Sequence, residues 1–385
     1  MTALHLATFH GNVEFTARLI REGVAVDLFE TCYGTPLCAA ALGNNTEVVE
    51  FLLANGADVN LCFPQGGTSL TRATVIGQIE AMKILLRHGA GTDHMDEDGE
   101  TALIKAVSLG NLTSTQLLLE SGADANLPSH QENPPLRYAI EGGNVDIIRI
   151  LLKHGAHANG KDIDGVPGLL YSVINGNLDI VKSLHEHGAS LDERGPLPFT
   201  PLLAAVVSEH EHILHWLLQN GANAQCTSTS GHPALQLATH QGSPSIVRLL
   251  LAHFRQGDSS ECYEVNKKGV DGETSLHIAA RFGKLEVAKI LIEAGAEIDS
   301  EDDLYQTPAT IAKKCNKLDV YGYLNELGAK PRSEPREVTI TLEDGTKLGF
   351  ILGSRDDGST PVTNEQIIGI IQQISFPAPV REIKF

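Results

Sequence analysis

The sequence lacks the segments that direct a chain into or across a membrane. It has no apolar run close to the length of a membrane-spanning helix. Its first residues, MTALHLATFHGN, do not follow the basic-then-apolar order of a signal peptide. We therefore predict a cytoplasmic protein with no membrane insertion, and a nuclear location stays open.

Cysteine is scarce and scattered along the chain. The six cysteines include no C-x-x-C pair and stand far apart, at Cys32, Cys38, Cys62, Cys226, Cys262 and Cys315. This pattern fits reduced thiols in an intracellular protein better than a disulfide framework or a cysteine zinc site.

Basic residues are outnumbered by acidic ones, with 29 Lys and Arg against 48 Asp and Glu and a formal net charge of −19. Such a charge repels nucleic-acid backbones and anionic membrane surfaces, so we expect neither as a partner. A neutral or basic protein partner is compatible with it. The alternative is that the excess charge only maintains solubility.

Catalytic motifs are missing as well. The sequence contains no phosphate-binding loop, nucleophile elbow, dinucleotide fingerprint or H-E-x-x-H pair. The stretch SEHEHILHW has the composition of a zinc ligand set, with His210, His212 and His215 close together. In the register of the repeat described next, His212 and His215 lie on the outward side of a helix and no third ligand is implied. We predict no enzymatic activity, no cofactor and no metal site.

A 33-residue repeat organises most of the chain. The pattern T-[AP]-L-x-x-A, or a close variant, starts ten times, at Thr2, Thr35, Thr68, Thr101, Pro134, Pro167, Thr200, Pro233, Thr274 and Thr307. Each step is 33 residues long except the one of 41 residues between Pro233 and Thr274. A leucine stands 17 residues after every start, and an alanine stands five residues after every start but one. A glycine stands 21 residues after every start except where Phe254 replaces it.

Each repeated residue has a physical reason. Threonine caps the N-terminus of a helix, and proline fits the first helical turn. The small residue lets this first helix approach the next copy, and the leucine fills the layer between copies from a second helix. The glycine ends the second helix in the left-handed conformation. One such unit cannot bury its apolar face alone, so the copies must stack.

With T-P-L-H-x-A, G-N and L-L-x-x-G-A-D-x-N in this order, the chain resembles the ankyrin repeat family over residues 1–330. The resemblance implies paired antiparallel helices, joined by protruding loops and stacked into a curved all-α solenoid. It also implies that partners bind a concave surface built from loop tips and the exposed side of the first helices. Only His5 and His277 keep the motif histidine, so we expect a less uniform and less stable array than an idealised one. The chain begins inside its first copy, which is either a shortened cap or the mark of a fragment.

The sequence departs from the repeat in two places, at an insertion in the eighth copy and after residue 330, where the repeat ends. An eight-residue insertion is expected near residues 254–262, after Leu250 and Leu251 end the second helix of the eighth copy. The segment RQGDSSEC is predicted to be an exposed loop, which is either a tolerated surface insertion or a specificity loop. The ankyrin repeat domain is therefore predicted at residues 1–330, followed by a linker at 331–337.

Residues 338–385 are predicted to form a small C-terminal module of α/β type. EVTITLEDGTKLGFIL alternates like two strands around the turn Asp344-Gly345, which is a hairpin signal. TNEQIIGIIQQI favours a short amphipathic helix with Thr363 and Gln366 as its capping box, and PAPVREIKF is extended in character. The predicted fold class is an all-α solenoid with a small C-terminal α/β element.

Candidate partner-binding residues follow from the register. The loop tips occupy the five residues before each start, and their acidic members are Asp96, Glu97, Asp98, Glu100, Asp162, Asp164, Asp271, Glu273, Asp302 and Asp303. The exposed side of the first helix lies seven and eight residues after each start and includes Val75, Ile76, Leu109, Ile174, His240, Arg281 and Phe282. Apolar side chains rimmed by carboxylates fit a surface that accepts a basic or mixed peptide. The alternatives are that the tips are merely solvated and that Ile174 or Val75 packs against a neighbouring helix.

The leading hypothesis is a non-catalytic protein-interaction scaffold or adaptor that binds a protein partner on its concave, acidic surface. We expect the chain to be a monomer. The alternative is a regulatory subunit or effector whose C-terminal module recruits or contributes an enzymatic activity. A third possibility is self-association through the first copy.

Overall fold

The computed structural model describes residues 2–30, 34–62, 67–256, 264–329, 336–342, 347–352 and 380–384. Two compact units make up the chain, Met1–Pro201 and Leu202–Phe385, and each is described by itself. Within the described residues, no helix is long and apolar enough to cross a membrane.

In the first unit, each copy of the repeat forms two helices joined by a short turn. The first helices are α1 (Ala3–Phe9), α3 (Pro36–Leu42), α5 (Ser69–Ile76), α7 (Ala102–Ser108), α9 (Pro135–Glu141) and α11 (Gly168–Ile174). The second helices are α2 (Val13–Arg21), α4 (Thr46–Ala54), α6 (Ile79–Arg87), α8 (Leu112–Glu120), α10 (Val145–Lys153) and α12 (Leu178–Glu186). Each first helix packs on the first helix of the next copy, and each second helix on the next second helix. The unit is therefore two layers deep.

The second unit continues the same pattern. Its first helices are α13 (Pro201–Val207), α15 (Ala234–Gln241), α17 (Ser275–Phe282) and α19 (Pro308–Lys314). Its second helices are α14 (Glu211–Gln219), α16 (Pro244–Gln256), α18 (Leu285–Glu293) and α20 (Leu318–Glu326). A 3-10 turn, Val270–Gly272, precedes α17. These helices confirm the predicted array of helix pairs.

The repeated small residue and leucine form the core. The alanine five residues after each start, and Ser172 in its place, are at most 5% exposed. Nine of the ten repeated leucines are 0% exposed: Leu52, Leu85, Leu118, Leu151, Leu184, Leu217, Leu250, Leu291 and Leu324. Leu19 in the first copy is half-buried. Full burial of one leucine contributes about 1.5–3 kcal/mol, so this layer is a principal source of stability.

The predicted helix ends are also present. Thr2, Thr35 and Thr101 accept a hydrogen bond from the backbone N–H three residues later. At the other end of the helix pair, Gly89 has φ of 86°, and a Cβ built there would meet no atom within 4 Å. The left-handed backbone, and not crowding, therefore requires glycine at this position.

The prediction that Leu250 and Leu251 end the second helix of the eighth copy is wrong. Helix α16 continues to Gln256 and has 13 residues, whereas α14 has nine. Phe254 stands where other copies have glycine, and it is only 4% exposed. Without the left-handed glycine the helix continues, and burial of the phenylalanine ring stabilises the extra turn. The rest of the predicted insertion loop, residues 257–262, lies outside the described residues.

The C-terminal residues contain the predicted hairpin. Strand β1 (Arg336–Leu342) pairs antiparallel with β2 (Lys347–Leu352), and β3 (Val380–Lys384) pairs antiparallel with the other edge of β1. The sheet order is β2-β1-β3. Strand β1 includes the last two residues of the predicted linker, Arg336 and Glu337. The predicted turn at Asp344-Gly345 and the predicted helix around Thr363 and Gln366 lie outside the described residues, and the domain boundaries near 330 stay a prediction.

Asparagine side chains connect the loops of neighbouring copies. The carboxamide of Asn159 donates to the carbonyl oxygen of Gly188 at 3.1 Å and accepts the N–H of Ser190 at 2.9 Å. Asn60, Asn126 and Asn266 make the same pair of hydrogen bonds to residues 29 and 31 positions later. One side chain thus satisfies a donor and an acceptor of the next copy.

A second hydrogen bond between neighbouring copies comes from the side chain three residues after the repeat start, where the family motif has histidine. His277 Nε2 lies 3.0 Å from the carbonyl oxygen of Gln306, and its Nδ1 accepts the N–H of Thr274 at 3.1 Å. The ring is therefore the tautomer protonated on Nε2. In the preceding copy, Gln236 Nε2 donates to the equivalent carbonyl oxygen, that of Glu273, at 2.7 Å. A glutamine thus replaces the histidine without loss of this hydrogen bond.

His5 makes the same contact in the first copy, with its Nε2 atom 3.1 Å from the carbonyl oxygen of Gly34. Other copies have side chains at this position that are neither imidazole nor carboxamide. Cys38, for example, is fully buried, and burial raises the pKa of its thiol to about 12. It packs as a small apolar side chain and is not a reactive thiol. The predicted non-uniformity of the array is visible in this substitution.

Protonation of His277 should contribute to the pH dependence of the stability of the folded protein. Burial lowers the pKa of the His277 imidazole, because the charged ring would be desolvated. The neutral ring contributes fully above about pH 6.5, the ordinary pKa of histidine, and this contribution is lost as the pH falls, since the unfolded chain binds the proton first. We expect the urea midpoint of the native protein to fall more between about pH 7.5 and 5 than that of His277→Gln.

Glutamine is the appropriate replacement because Gln236 makes the same hydrogen bond in the neighbouring copy. Equal losses in the two proteins would show that protonation of His277 is not coupled to folding.

Candidate functional site

The structure divides the predicted acidic loop tips into two groups. Asp96, Asp162 and Asp302 stand five residues before a repeat start, and each carboxylate accepts backbone N–H groups two or four residues later at 2.7–3.1 Å. Asp302 is 6% exposed, and the side chains of Asp96 and Asp162 are 8% and 6% exposed. The expectation that these three carboxylates face a partner at the loop surface is therefore wrong. They close the loop, because the N–H groups of a tight turn need an acceptor.

A sequence signal for this role exists. Ser129 and Ser228 occupy the same position, and their hydroxyl oxygens accept N–H groups from their own loops at 3.2 and 3.1 Å. Aspartate or serine therefore stands five residues before the start in five copies, the pattern of a side chain that caps a turn.

Two basic side chains neutralise further carboxylates of the predicted tips. Lys105 Nζ lies 3.0 Å from Asp96, 2.5 Å from Glu100 and 3.8 Å from Asp98. Partial burial opposes the charge of Lys105, but the hydrogen bonds from Glu100 and Asp96 outweigh it and raise the pKa of the ammonium group. Arg281 forms an ion pair with Glu273.

A third ion pair holds Asp162. The Arg137 guanidinium lies 3.3 Å from Asp162 and 2.9 Å from Glu141, and it stacks over the Tyr171 ring at 3.7 Å from the centroid. Five of the ten predicted acidic tips are thus buried or form a close internal ion pair, and a sixth, Asp98, lies 3.8 Å from Lys105 although its side chain is 80% exposed. The carboxylates that remain exposed at the loop tips are Glu97, Asp98, Asp164, Asp271 and Asp303.

The predicted apolar positions on the first helices are exposed. Val75, Ile76, Leu109, Ile174 and Phe282 have 38–57% of their surface accessible, and His240 and Arg281 are also exposed. Helices α5 and α7 pack side by side, so Ile76 and Leu109 occupy the same register position on neighbouring helices. The loop that carries Glu97 and Asp98 connects these two copies. These two copies of the first unit therefore carry both exposed apolar and exposed acidic side chains.

Several exposed apolar residues at loop tips were not predicted. Ile163, Val270, Leu304 and Tyr305 are 39–61% exposed and stand two to four residues before a repeat start. The predicted tip residues included carboxylates only. The signal of these four residues in the sequence is a large apolar residue at a position where Glu97, Asp98 or Gly99 stands in another copy.

The second unit has a groove between α15 and α17. Its volume is about 340 Å³, and it is lined by His232, Gln236, Leu237, His240, Asp271, Glu273, Ile278, Arg281 and Phe282. The His240 and Phe282 rings meet edge to face with their centroids 4.5 Å apart. The groove combines apolar surface with a carboxylate and an ion pair at its border, an arrangement suited to binding a side chain of another protein.

The histidine cluster of the seventh copy has the predicted placement. His212 and His215 are exposed on α14, whereas Ile213 and Leu217 are buried. Trp216, predicted to turn toward the stack, is half-buried. Among the residues that the structure describes, no group of three His, Cys, Asp or Glu side chains is arranged to hold a metal ion.

Comparison with known proteins identifies the repeat. The family described as "Ankyrin repeats (3 copies)" matches residues 1–62, 70–162, 116–195, 169–261, 202–302 and 255–334. Protein phosphatase 1 regulatory subunit 12A of Rattus norvegicus is 30% identical over 152 residues, which are 37% of this chain and 14% of that protein. The B-cell lymphoma 3 protein homolog of Mus musculus is 27% identical over 153 residues, 40% of this chain and 33% of that protein.

A solved structure has the same fold. The ankyrin repeat domain of Bcl-3, described as a unique member of the IkappaB protein family, superimposes with a TM-score of 0.52 at 26% sequence identity. The match covers 58% of this chain and 99% of that domain. The matched residues are 14% and 33% of the length of these two relatives, so the chain spans less than two thirds of either.

The two groups of loop carboxylates should differ in their effect on stability. Asp162→Ala removes an acceptor for backbone N–H and leaves Arg137 with one fewer carboxylate, which should lower the free energy of unfolding by about 1–3 kcal/mol. Asp164→Ala, two residues away and exposed, should change it by less than about 0.5 kcal/mol. Urea unfolding followed by circular dichroism measures both. Equal effects would contradict the division of the tips into internal and exposed carboxylates.

Proposed function

Since the chain belongs to the ankyrin repeat family, we propose that it is a non-catalytic scaffold or adaptor that binds a protein partner. The binding surface is the row of exposed first-helix positions together with the exposed loop tips. The proposal rests on the side chains at these positions, since family membership alone does not name a function.

One observation carries the proposal. Ile76 and Leu109 are both 57% exposed at the same register position of neighbouring copies, and the loop between these copies carries the exposed carboxylates Glu97 and Asp98. Large apolar side chains at adjacent surface positions mark interaction sites, and an apolar centre with a polar rim is the usual composition of an interface.

The charge of the chain indicates the chemistry of the partner. A net charge of −19 favours association with a basic or neutral surface and disfavours nucleic acid and anionic lipid. Neutralisation of Asp96 and Glu100 by Lys105 leaves Glu97 and Asp98 as the acidic rim of this part of the surface. We therefore assign the partner a basic or mixed segment.

The proposal includes an intracellular, cytoplasmic location and a monomeric chain. Four cysteines in the described part of the chain, Cys38, Cys62, Cys226 and Cys315, form no disulfide. Reduced cysteines are typical of reducing compartments, which supports this location.

A second candidate function is a regulatory subunit or effector whose C-terminal module recruits or contributes an enzymatic activity. The similarity to a protein named as a phosphatase regulatory subunit favours it. The sheet of β1, β2 and β3 supplies a separate structural element after the repeats. The two candidates share the binding surface of the repeats and differ in the role of residues 331–385.

Substitutions on the proposed surface should weaken partner binding. Ile76→Gln/Leu109→Gln removes two apolar side chains while keeping their length and neutrality. We expect at least a tenfold loss of affinity, about 1.4 kcal/mol, for a partner captured from cell lysate by the immobilised full-length chain and then purified. Quantitative mass spectrometry and a Kd measurement on the purified pair give the result.

The matched control is Phe15→Gln/Leu112→Gln, which replaces two exposed apolar residues on the second helices α2 and α8. Equal losses in the two double variants, or no loss in either, would refute the assignment of this surface.

Removal of residues 331–385 should separate the two candidate functions. If the chain is only a scaffold, the shortened protein should capture the partner of the repeats with unchanged affinity and lose no other protein. An enzyme captured by the full chain and lost from the shortened one would instead support the regulatory candidate. Affinity capture with both chains, compared by quantitative mass spectrometry, decides between them.

A further inference from the structure

We propose that the groove between α15 and α17 and the adjoining loop tips bind an extended peptide that combines a large apolar residue with a neighbouring lysine or arginine. We call Val270, Asp271, Asp303, Leu304 and Tyr305 the tip patch. This inference rests on the proposed function and specifies its partner in the second unit.

The groove accepts a side chain and not a folded domain. Its volume of about 340 Å³ is at the lower end of the range for ligand sites. Leu237, Ile278 and Phe282 supply its apolar surface, and Phe282 is 43% exposed with the His240 ring against its edge. Aromatic side chains of this kind are frequent anchors at protein interfaces.

The tip patch continues this surface. The N–H of Asp303 donates to the carbonyl oxygen of Asp271 at 2.9 Å, which joins the tips of the ninth and tenth copies. Val270, Leu304 and Tyr305 are 39%, 51% and 53% exposed. Asp271 belongs both to the patch and to the lining of the groove. An extended peptide that enters the groove therefore passes the tip patch.

Tyr305 adds an aromatic ring to the tip patch. It has φ of 58°, in the left-handed region, and stands two residues before its repeat start. Glu132 holds the same position with φ of 59°, and glycine holds it in four other copies with φ of 70–83°: Gly99, Gly165, Gly231 and Gly272. The backbone there favours glycine but accepts other residues. Tyr305 is 53% exposed, so its phenol ring enlarges the apolar surface of the patch.

The negative charge of the tip patch favours a basic peptide. Asp271 and Asp303 are exposed carboxylates. The nearby cation Arg281 is paired with Glu273, and the Lys268 ammonium group donates to the carbonyl oxygen of Glu301 at 2.8 Å. Lys268 keeps its positive charge, because its partner is an uncharged carbonyl, but the two carboxylates outnumber it. The surface therefore has a net negative charge beside an apolar groove, which complements a lysine or arginine next to an apolar anchor.

The test begins with a phage-displayed library of random peptides selected on the immobilised full-length chain. We expect the enriched sequences to share a large apolar residue near a lysine or arginine. A fluorescein-labelled peptide of the consensus sequence is then titrated with the protein by fluorescence anisotropy. Enrichment of acidic peptides, enrichment without an apolar anchor, or no enrichment would each overturn the inference.

Charge removal gives the first pair of variants. Asp271→Asn/Asp303→Asn keeps side-chain shape and a residue that tolerates the left-handed backbone at position 271, where φ is 58°. We expect at least a tenfold weaker Kd for the consensus peptide. The control Glu293→Gln/Glu326→Gln removes two exposed carboxylates from α18 and α20 and should leave Kd unchanged. Equal Kd values for both double variants would overturn the inference.

The variant Tyr305→Gly tests whether Tyr305 contributes to peptide binding or to the stability of the fold. It removes the phenol ring and relieves the left-handed backbone, so we expect weaker peptide binding while the midpoint of thermal unfolding does not fall. A lower midpoint with unchanged binding would mean that Tyr305 is structural and would overturn its role. Peptide binding that is lost in Ile76→Gln/Leu109→Gln but kept in the tip-patch variants would overturn this inference while leaving the proposed function intact.

Discussion

Two short helices and a loop cannot bury their own apolar surface, and this constraint determines the rest of the structure. The first helices have seven or eight residues, too few to be stable alone in water. Burial of the repeated leucines and alanines between copies supplies the stability that each copy lacks. The loop tips and the outer side of the first helices are not packed between copies, so their side chains are accessible to a protein partner.

The loops show that charged residues in a repeat serve two purposes. Asp96, Asp162 and Asp302 satisfy backbone N–H groups, whereas neighbouring carboxylates such as Asp164 and Asp303 stay exposed. Lys105 further reduces the charge that a partner would meet. The acidic character of the proposed binding surface therefore depends on fewer residues than the composition of the loops indicates.

The sequence predicted the fold through spacing, because the leucine, alanine and glycine positions report directly on burial and on left-handed backbone. It failed where one missing residue changes the backbone: the length of α16 depends on Phe254 being buried, which spacing does not reveal. It also failed where a role depends on contacts across the loop. Nothing in the spacing of Asp96 and Glu97 distinguishes the carboxylate that caps the turn from the one that faces solvent. Exposed apolar loop residues such as Leu304 and Tyr305 were identified only in the structure, because the prediction for the loop tips considered charged residues alone.

The asparagines that connect neighbouring loops introduce a chemical ageing site. Asn159 is followed by Gly160, and glycine leaves the backbone nitrogen unhindered for attack on the preceding carboxamide. Deamidation replaces the NH₂ group with a negatively charged oxygen opposite the Gly188 carbonyl, where a donor is now 3.1 Å away. Attraction becomes repulsion at a joint between two copies of the first unit. Of the four asparagines that connect neighbouring loops, Asn159 alone precedes a glycine, so slow covalent damage of this kind would weaken its joint before the other three.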